Sequence, residues 1–264
     1  MSKSFKPGSA SLRFWQLLLL VVILGVWHFA SRDSKVAFFF GEPLKVWGRI
    51  WAWFVTNADI YTHLWVTLTE TVLAFFIGTI AGLAFGLWLG LSPRASAILD
   101  PYIKAANSMP RVILAPIFGM WFGLGIWSKV ALAVTLVFFT TFFNAMQGVR
   151  EVNPTVLANA RILGAGRGDL LRHVYFPAAA SWILSSLRTS VGFAVVGAII
   201  GEYLGASAGL GYLIAQAEGN FNAVGVFAGI IILAAFVLII DALLDIVENR
   251  VITWRPNAQQ GATS

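Results

Sequence analysis

Residues 150–177 read REVNPTVLANARILGAGRGDLLRHVYFP, the longest polar interruption between two strongly apolar segments of the chain. Four arginines, Arg150, Arg161, Arg167 and Arg172, stand against two acids, Glu151 and Asp169. The stretch carries helical punctuation. Asn153 is an N-cap for a helix whose first position is Pro154, where a missing N–H is harmless. Val156, Leu157, Ala160 and Leu163 then recur on one face. Gly164, Gly166 and Gly168 break the run, and Asp169 starts a second short helix carrying Leu170, Leu171 and Val174. On spacing alone two readings stand: a jointed helix–bend–helix, or a solvated basic loop that only fixes topology.

What flanks this stretch is membrane. The 264 residues are 58% hydrophobic and 11% charged, with mean hydropathy +0.80, whereas soluble domains carry roughly 25% charged residues. Eleven Trp and 21 Phe suit a lipid-facing surface with interfacial aromatics. The net charge of +6 is explained by orientation signals, so it is no argument for nucleic acid. With no cysteine, disulfide and thiolate chemistry are excluded. His28, His63 and His173 lie far apart without metal-ligand spacing, and no cofactor is expected.

The apolar segments predict about six spans. Phe14 to Ala30 is the first. A basic start before an apolar run also fits a signal peptide, but the length of the run and a weak cleavage pattern favour a retained span. Ser31 to His63 is mixed; Trp47, Ile50, Trp51 and Phe54 share one helical face with Lys45 and Arg49 off it, which suits a helix lying flat in the interface or one packed on the spans. Leu64 to Leu91 is the second span. Its Gly78, Gly82, Gly86 and Gly90, with Ala74 extending the row, line one face as a groove for another helix backbone. Glu70, about two turns inside, needs a partner or water. The third span, about 101–125, is interrupted by Asn107, Ser108, Pro110, Arg111 and Pro116; broken backbone at that depth belongs against protein or a water-filled cavity.

Ile126 to Gly148 is the fourth span, rich in Phe. The fifth runs from about Phe176 to Gly201 and carries Arg188 roughly 16 Å along the helix. An arginine there costs at least about 2.5 kcal/mol. It either lines a path or pairs with a carboxylate such as Glu70 or Glu202. Glu202 to Asn222 reads as a Gly-rich connection. Ala223 to Ile240 is the sixth span, continuing through Asp241 and Asp245 to about Arg250, and the tail after Trp254 is polar and expected to be disordered. Inner loops and tails hold about ten Lys/Arg and outer ones about five, which puts both termini and residues 150–177 in the cytoplasm.

Here the residues resemble a known family. The 150–177 stretch resembles the coupling loop of the permease subunits of binding-protein-dependent ABC importers, whose pattern is Glu-Ala-Ala, three residues, Gly, nine residues, Ile, one residue, Leu-Pro. Gly164, Val174, Phe176 and Pro177 take the later positions without insertion or deletion, and Ala160 fits the second alanine. Ala158 stands where the family has its glutamate, and Asn159 replaces the first alanine. HLWVTL (63–68), LDPYIKAANSMPRVILAPIFGMWFGLG (99–125), GVREVNP (148–154), RILGAGRGDLLRHVYFPAA (161–179) and GEYLGASAGLGYLI (201–214) are similar to the nitrate/sulfonate/taurine/bicarbonate branch. Glu70 departs from it, since that branch often has a basic residue there.

The resemblance implies an all-α, polytopic type I ABC importer permease of the bacterial inner membrane, and no enzyme: no G-x-x-x-x-G-K-[ST] occurs, so ATP would bind two separate ATP-binding cassette subunits. A second permease copy, forming a homodimer, and a periplasmic solute-binding protein complete the assembly. Leu157, Ala160, Ile162 and Leu163 would dock on the ATPase, with Arg161 and Arg167 in polar contacts. Gly164 would allow the bend and Pro177 would start the fifth span. Arg188, Arg111, Glu70 and Glu202 are the candidate path residues. Sulfonate or taurine is the first substrate expectation, with nitrate or another small organic compound second; selectivity largely belongs to the binding protein. The expected organisation is 1–61 (tail, first span, external interfacial segment), 62–251 (core permease) and 252–264 (polar tail). The competing classes are an ATPase-independent channel or secondary transporter, which would need paired ionisable groups or an internal repeat, and an intramembrane enzyme, which would need clustered His, Asp or Glu.

Overall fold

The computed structural model describes residues 9–251, and every regular element among them is helical. The N-terminal residues 1–8 and the polar tail 252–264 lie outside the described residues. Five helical stretches are long and apolar enough to cross a membrane: Leu12–Ala30, Ile60–Leu91, Ile126–Arg150, Trp182–Gly219 and Ala223–Ile246. The expected third span is not one helix. It is divided into α5 (Pro93–Ser108), a 3₁₀ turn (Arg111–Ile113) and α6 (Leu114–Phe122). The cause is Pro110. It pushes Met109 to an extended ψ of 129°, which ends α5.

The chain folds as two compact units. Among the described residues, one comprises 9–61 together with Leu213–Ile232; the other comprises Thr62–Tyr212 together with 233–251.

In the first unit, α1 (Ser9–Ala30) leaves its apolar window unburied along its whole length. Asp33 caps α2 (Ser34–Phe40) by accepting from the Lys35 N–H, and Trp27 Nε1 donates to the Phe40 carbonyl at 3.2 Å. Pro43 opens α3 (Pro43–Trp51), which passes into a π-helical turn over Ala52–Thr56. The expected interfacial face is split. Trp47 and Trp51 stay 67% and 62% exposed, Ile50 and Phe54 are half-buried, and Val46 is the buried residue of α3.

The second unit is built on α7 (Ile126–Arg150). Against one side lies the small-residue row of α4 (Ile60–Leu91). A Cβ at Gly82 would sit 2.7 Å from the Phe138 carbonyl oxygen, and one at Gly86 would sit 2.5 Å from that of Phe142. The lack of a side chain is what lets these backbones approach so closely. Against the other side lies α10 (Phe176–Gly205). There a Cβ at Gly197 would stand 2.5 Å from the Ala133 backbone, and one at Gly148 would stand 2.8 Å from that of Ala179. Thr141 and Ser190 add a buried hydroxyl–hydroxyl bond of 3.0 Å between α7 and α10. Ala74, Val130, Ala133, Val137 and Ala194 form one buried cluster, and Ala145, Val149, Ala179 and Ile183 another. The Gly-rich segment after Glu202 is not a plain connection: α10 runs on to Gly205, and after residues 206–209 comes α11 (Leu210–Gly219), followed by α12 (Ala223–Val251).

Gly86→Ala is expected to destabilise the protein by about 1–3 kcal/mol by forcing α4 off α7. Gly192→Ala, where a Cβ meets nothing within 4 Å, is expected to be neutral or slightly stabilising. Thermal unfolding of the two variants in detergent checks this.

Candidate functional site

Residues 150–177 fold as a jointed elbow. α8 (Pro154–Ile162) begins at Asn153, whose Oδ1 accepts from the Thr155 N–H at 2.8 Å. It ends in a Schellman motif: the Ala165 N–H reaches the Ala160 carbonyl and the Gly164 N–H reaches the Arg161 carbonyl, each at 3.0 Å. Gly164 sits at φ +86°, a left-handed conformation that disfavours any side chain. The second helix begins earlier than the sequence indicates. α9 spans Arg167–Leu170, and Asp169 Oδ2 reaches back to accept from the Gly166 N–H at 3.0 Å. A π-helical turn, Leu171–Tyr175, then joins α9 to α10, with Pro177 in the first turn of α10.

Two apolar side chains stand out at the bend: Ile162 is 83% exposed and Leu163 is 87% exposed. Arg161 is also exposed, while Leu157 and Ala160 are half-buried. The Arg167 side chain lies outside the described residues. The elbow is moored by Val152 and Leu170, both buried. Its entry is held by Arg150, whose Nη2 donates to Ser96 Oγ at 2.6 Å beside a cavity of about 480 Å³ shared with Leu89, Pro93 and Asp100.

Glu202 and Glu70 lie in a buried polar knot, each 1% exposed. Glu202 Oε1 accepts from Thr67 Oγ1 at 2.6 Å, and Oε2 accepts from the Gly211 N–H at 2.7 Å. The Leu210 N–H donates to Thr67 Oγ1 at 2.9 Å, and the Gly209 N–H donates to His63 Nδ1 at 3.0 Å. Three consecutive amides at the start of α11, where no intrahelical acceptor exists, are thus met by side chains from α4 and α10. Gly209, at φ +117°, lies against the Glu202 carboxylate, so a side chain there would collide with it. His63 stacks on Tyr212 at 5.9 Å. Glu70 lies beside Glu202, with its Oε2 lacking a hydrogen-bond partner among the described residues.

The neighbouring cation is Lys129, 2% exposed, whose Nζ donates to the Leu124 and Gly125 carbonyls at 2.5 and 3.1 Å. It acts electrostatically on both carboxyl groups. Sequence reasoning misses it, although a lysine near the start of an apolar span, in WSKVALAV, is the kind of signal that flags such a residue.

Arg188 is not the partner of these glutamates. Its Nη2 lies 2.6 Å from Asp245 Oδ1 and 3.4 Å from Asp241 Oδ1, in a half-exposed ion-pair network. In the sequence Asp241 and Asp245 read only as a helical continuation. Their i, i+4 spacing puts both carboxylates on one face of α12.

Arg111 lies at the break between α5 and α6. Its Nη2 donates to Asn107 Oδ1 at 2.8 Å, and its Cζ lies 4.9 Å from the centroid of the Phe139 ring. Its Nε is buried and has no hydrogen-bond partner among the described residues. It lines a cavity of about 340 Å³ with Asn107, Ser108, Met109, Val112, Leu132 and others. A second cavity, of about 280 Å³, lies between α6, α7 and α10 and reaches Ser128 and Lys129.

Residues 74–253 match the family described as binding-protein-dependent transport system inner membrane component. The formylaminopyrimidine transport permease protein ThiX of Halalkalibacterium halodurans is 30% identical over 238 residues, covering 90% of this chain and 94% of the relative. The putative aliphatic sulfonates transport permease protein SsuC of Bacillus subtilis is 30% identical over 258 residues, covering 97% and 93%. Among solved structures, a chain of the MetNI methionine ABC transporter superposes with a TM-score of 0.63 at 18% identity, covering 74% of this chain and 95% of that one. At that identity it speaks to the fold.

Thr67→Val removes both the acceptor for the Leu210 amide and the donor to Glu202. It is expected to lower stability by about 2 kcal/mol and to speed amide exchange at Gly209–Gly211. The control Thr69→Val, which loses only an exposed bond to its own helix, is expected to leave that exchange unchanged. Hydrogen–deuterium exchange read by mass spectrometry makes the comparison.

Proposed function

The chain belongs to the family of binding-protein-dependent transport system inner membrane components, the permease subunits of ABC importers, and from that premise we propose that it forms the translocation path for a small organic anion, with aliphatic sulfonates such as taurine first. In this reading two copies of the chain pair as a homodimer. Two separate ATP-binding subunits supply the hydrolysis, and a soluble binding protein delivers substrate from the periplasm. Both termini and the elbow lie in the cytoplasm, as the distribution of Lys and Arg favours.

The observation that carries the coupling role is the pair Ile162 and Leu163, held almost fully exposed at a rigidly capped bend. Two large aliphatic side chains beside an exposed arginine form a small docking head of the kind buried at protein–protein contacts. Arg161 borders that head and Arg167 follows the bend, both suited to the polar rim. Leu157 and Ala160 back it from their half-buried positions. Asn153 and Gly164 fix the two ends of α8, so a push on the head is passed on through a short stiff helix and not absorbed by a slack loop. Closure of the ATPase dimer then biases the permease pair between inward-facing and outward-facing states. The sulfonate reading rests on the SsuC relative and on the cationic cavity at Arg111. Glu202, sealed in the knot beside Glu70, holds the start of α11.

Replacing Gly164 with Leu strains the bend by roughly 1–2 kcal/mol without steric conflict, since a Cβ there meets nothing within 4 Å. In proteoliposomes carrying the ATPase subunits and the binding protein, Gly164→Leu is expected to retain ATP hydrolysis while losing at least about tenfold of the uptake per ATP, a deficit of about 1.4 kcal/mol or more in coupling. Normal coupled uptake by this variant removes the elbow from the mechanism. Uptake by the wild-type chain that runs without the ATPases overturns the importer reading itself. Substituting Arg188 with Leu leaves Asp241 and Asp245 unpaired and is expected to reduce transport more than yield if the network lines the path. Loss of folded protein, scored by size-exclusion chromatography, assigns it to structure.

A further inference from the structure

Two cations are candidates for meeting an anion in transit, and the geometry separates them. Arg188 is already neutralised by two aspartates, at 2.6 and 3.4 Å. An anion would have to displace a carboxylate to reach it. Among the described residues no carboxylate lies within ion-pair distance of Arg111. Its hydrogen bond to the protein goes to a neutral amide oxygen, that of Asn107. Its Cζ lies over the Phe139 ring, 4.9 Å from the centroid. A cation held over an aromatic ring still has N–H groups to offer, and a guanidinium can present them as the forked contact that oxyanions accept. The orphaned Nε is a second sign that this donor set is not closed within the chain, since a buried unmet donor is costly.

The surroundings add one donor and no acids. The cavity that Arg111 lines has room for several water-sized or one small organic solute, and its other polar residues are Asn107 and Ser108. Its remaining walls are apolar, with Leu132, Leu136 and Ile200 among them. Ser108 Oγ donates to the Lys104 carbonyl at 2.8 Å, so its proton is already committed. The Asn107 amide nitrogen is the second donor, because its oxygen is taken by Arg111. A cation, an amide donor and an aliphatic wall match a solute with an oxyanion at one end and a short carbon chain at the other. The site occupies the break between α5 and α6, where the irregular backbone borders a cavity.

We propose that Arg111 and Asn107, backed by Phe139, form the anion-binding station of the translocation path, taking the sulfonate or carboxylate head of a small organic anion, with Leu132, Leu136 and Ile200 receiving its carbon chain. The proposal rests on the importer reading above and assigns its substrate contact. It also gives a reason for the broken third span. A continuous helix is excluded there in any case, because Pro110 has no N–H to give to the preceding turn.

The test uses the full transporter in proteoliposomes with its ATPase subunits and binding protein, and radiolabelled taurine and ethanesulfonate as probes. Arg111→Gln is expected to reduce uptake at least tenfold while binding-protein-stimulated ATP hydrolysis stays within twofold of wild type, and Arg111→Lys is expected to recover part of the rate with a raised half-saturation concentration. Asn107→Asp guards against a variant that simply fails to fold. It keeps the side-chain shape and the bond to Arg111 but supplies an internal counter-charge, so it is expected to lose anion uptake with normal yield and elution. Wild-type uptake kinetics in either Arg111→Gln or Asn107→Asp overturn the station while leaving the importer reading intact. Wild-type uptake of a neutral formylaminopyrimidine and of neither anion also overturns it. Taurine entry with the ATPases omitted overturns the importer reading and this site together.

Discussion

The unit that holds the candidate sites depends on the two oxygens of one carboxylate. Glu202 takes a hydroxyl from α4 on one oxygen and a backbone amide of α11 on the other. Backbone donors buried at a helix start have no water to turn to. Leaving Gly209, Leu210 and Gly211 unmet would cost several kcal/mol together. His63, Thr67 and Glu202 meet all three, across sequence separations of 146, 143 and 9 residues respectively. The contact explains why the stretches 63–68 and 201–214 carry polar residues inside otherwise apolar spans. They are the two halves of one lock.

That lock is seated on a close-packed frame. The α4 glycines and the small residues of α10 let two helices lie against α7 at distances where a single methyl group would intrude. Packed interiors resist continuous deformation, so helices in this frame move as bodies. A stiff frame makes sense of an elbow that is also stiff, with α8 fixed at one end by Asn153 and at the other by the Gly164 bend. The Arg150–Ser96 bond ties the entry of the elbow to the first turn of α5, the same helix that leads to the break at Met109–Pro110. The elbow and the helix that leads to the Arg111 cavity are thus joined through Arg150 and Ser96.

Local signals are legible in the sequence, and distant pairings are not. The caps at Asn153 and Pro154, the glycine at 164 and the four-residue glycine period of α4 can all be read because each acts within a turn or along one face. The elbow's spacing carries the family. Proline at 110 announces an interruption, but only the folded chain shows that it ends one helix and starts a separate short one. Arg188 can be recognised as needing a counter-charge; that the charge comes from Asp241 and Asp245 and not from Glu70 or Glu202 depends on how α12 lies beside α10, which no periodicity encodes. The same limit hides Lys129, whose role depends on two glutamates far from it in sequence. α11 escapes a sequence reading because the glycines of 201–211 look like loop chemistry, whereas they serve close approach: a Cβ at Gly211 would sit 2.6 Å from the Ile199 carbonyl oxygen.

The π-helical turn at Leu171–Tyr175 has a consequence for angular phase. A widened turn holds one residue more than an α-helical one, and one residue corresponds to about 100° of rotation. The surplus residue is therefore taken up within the joint and leaves the faces of α10 in phase. A chain shortened by one position there closes the turn as ordinary α-helix and keeps Gly197 against the Ala133 backbone, whereas one position removed from the α-helical run between the joint and Gly197, with the joint held fixed, puts Ala198 in the place of Gly197 and drives a methyl group into that backbone. The widened turn is a slack link, the one place in this segment where the count of residues can change without turning the fifth span.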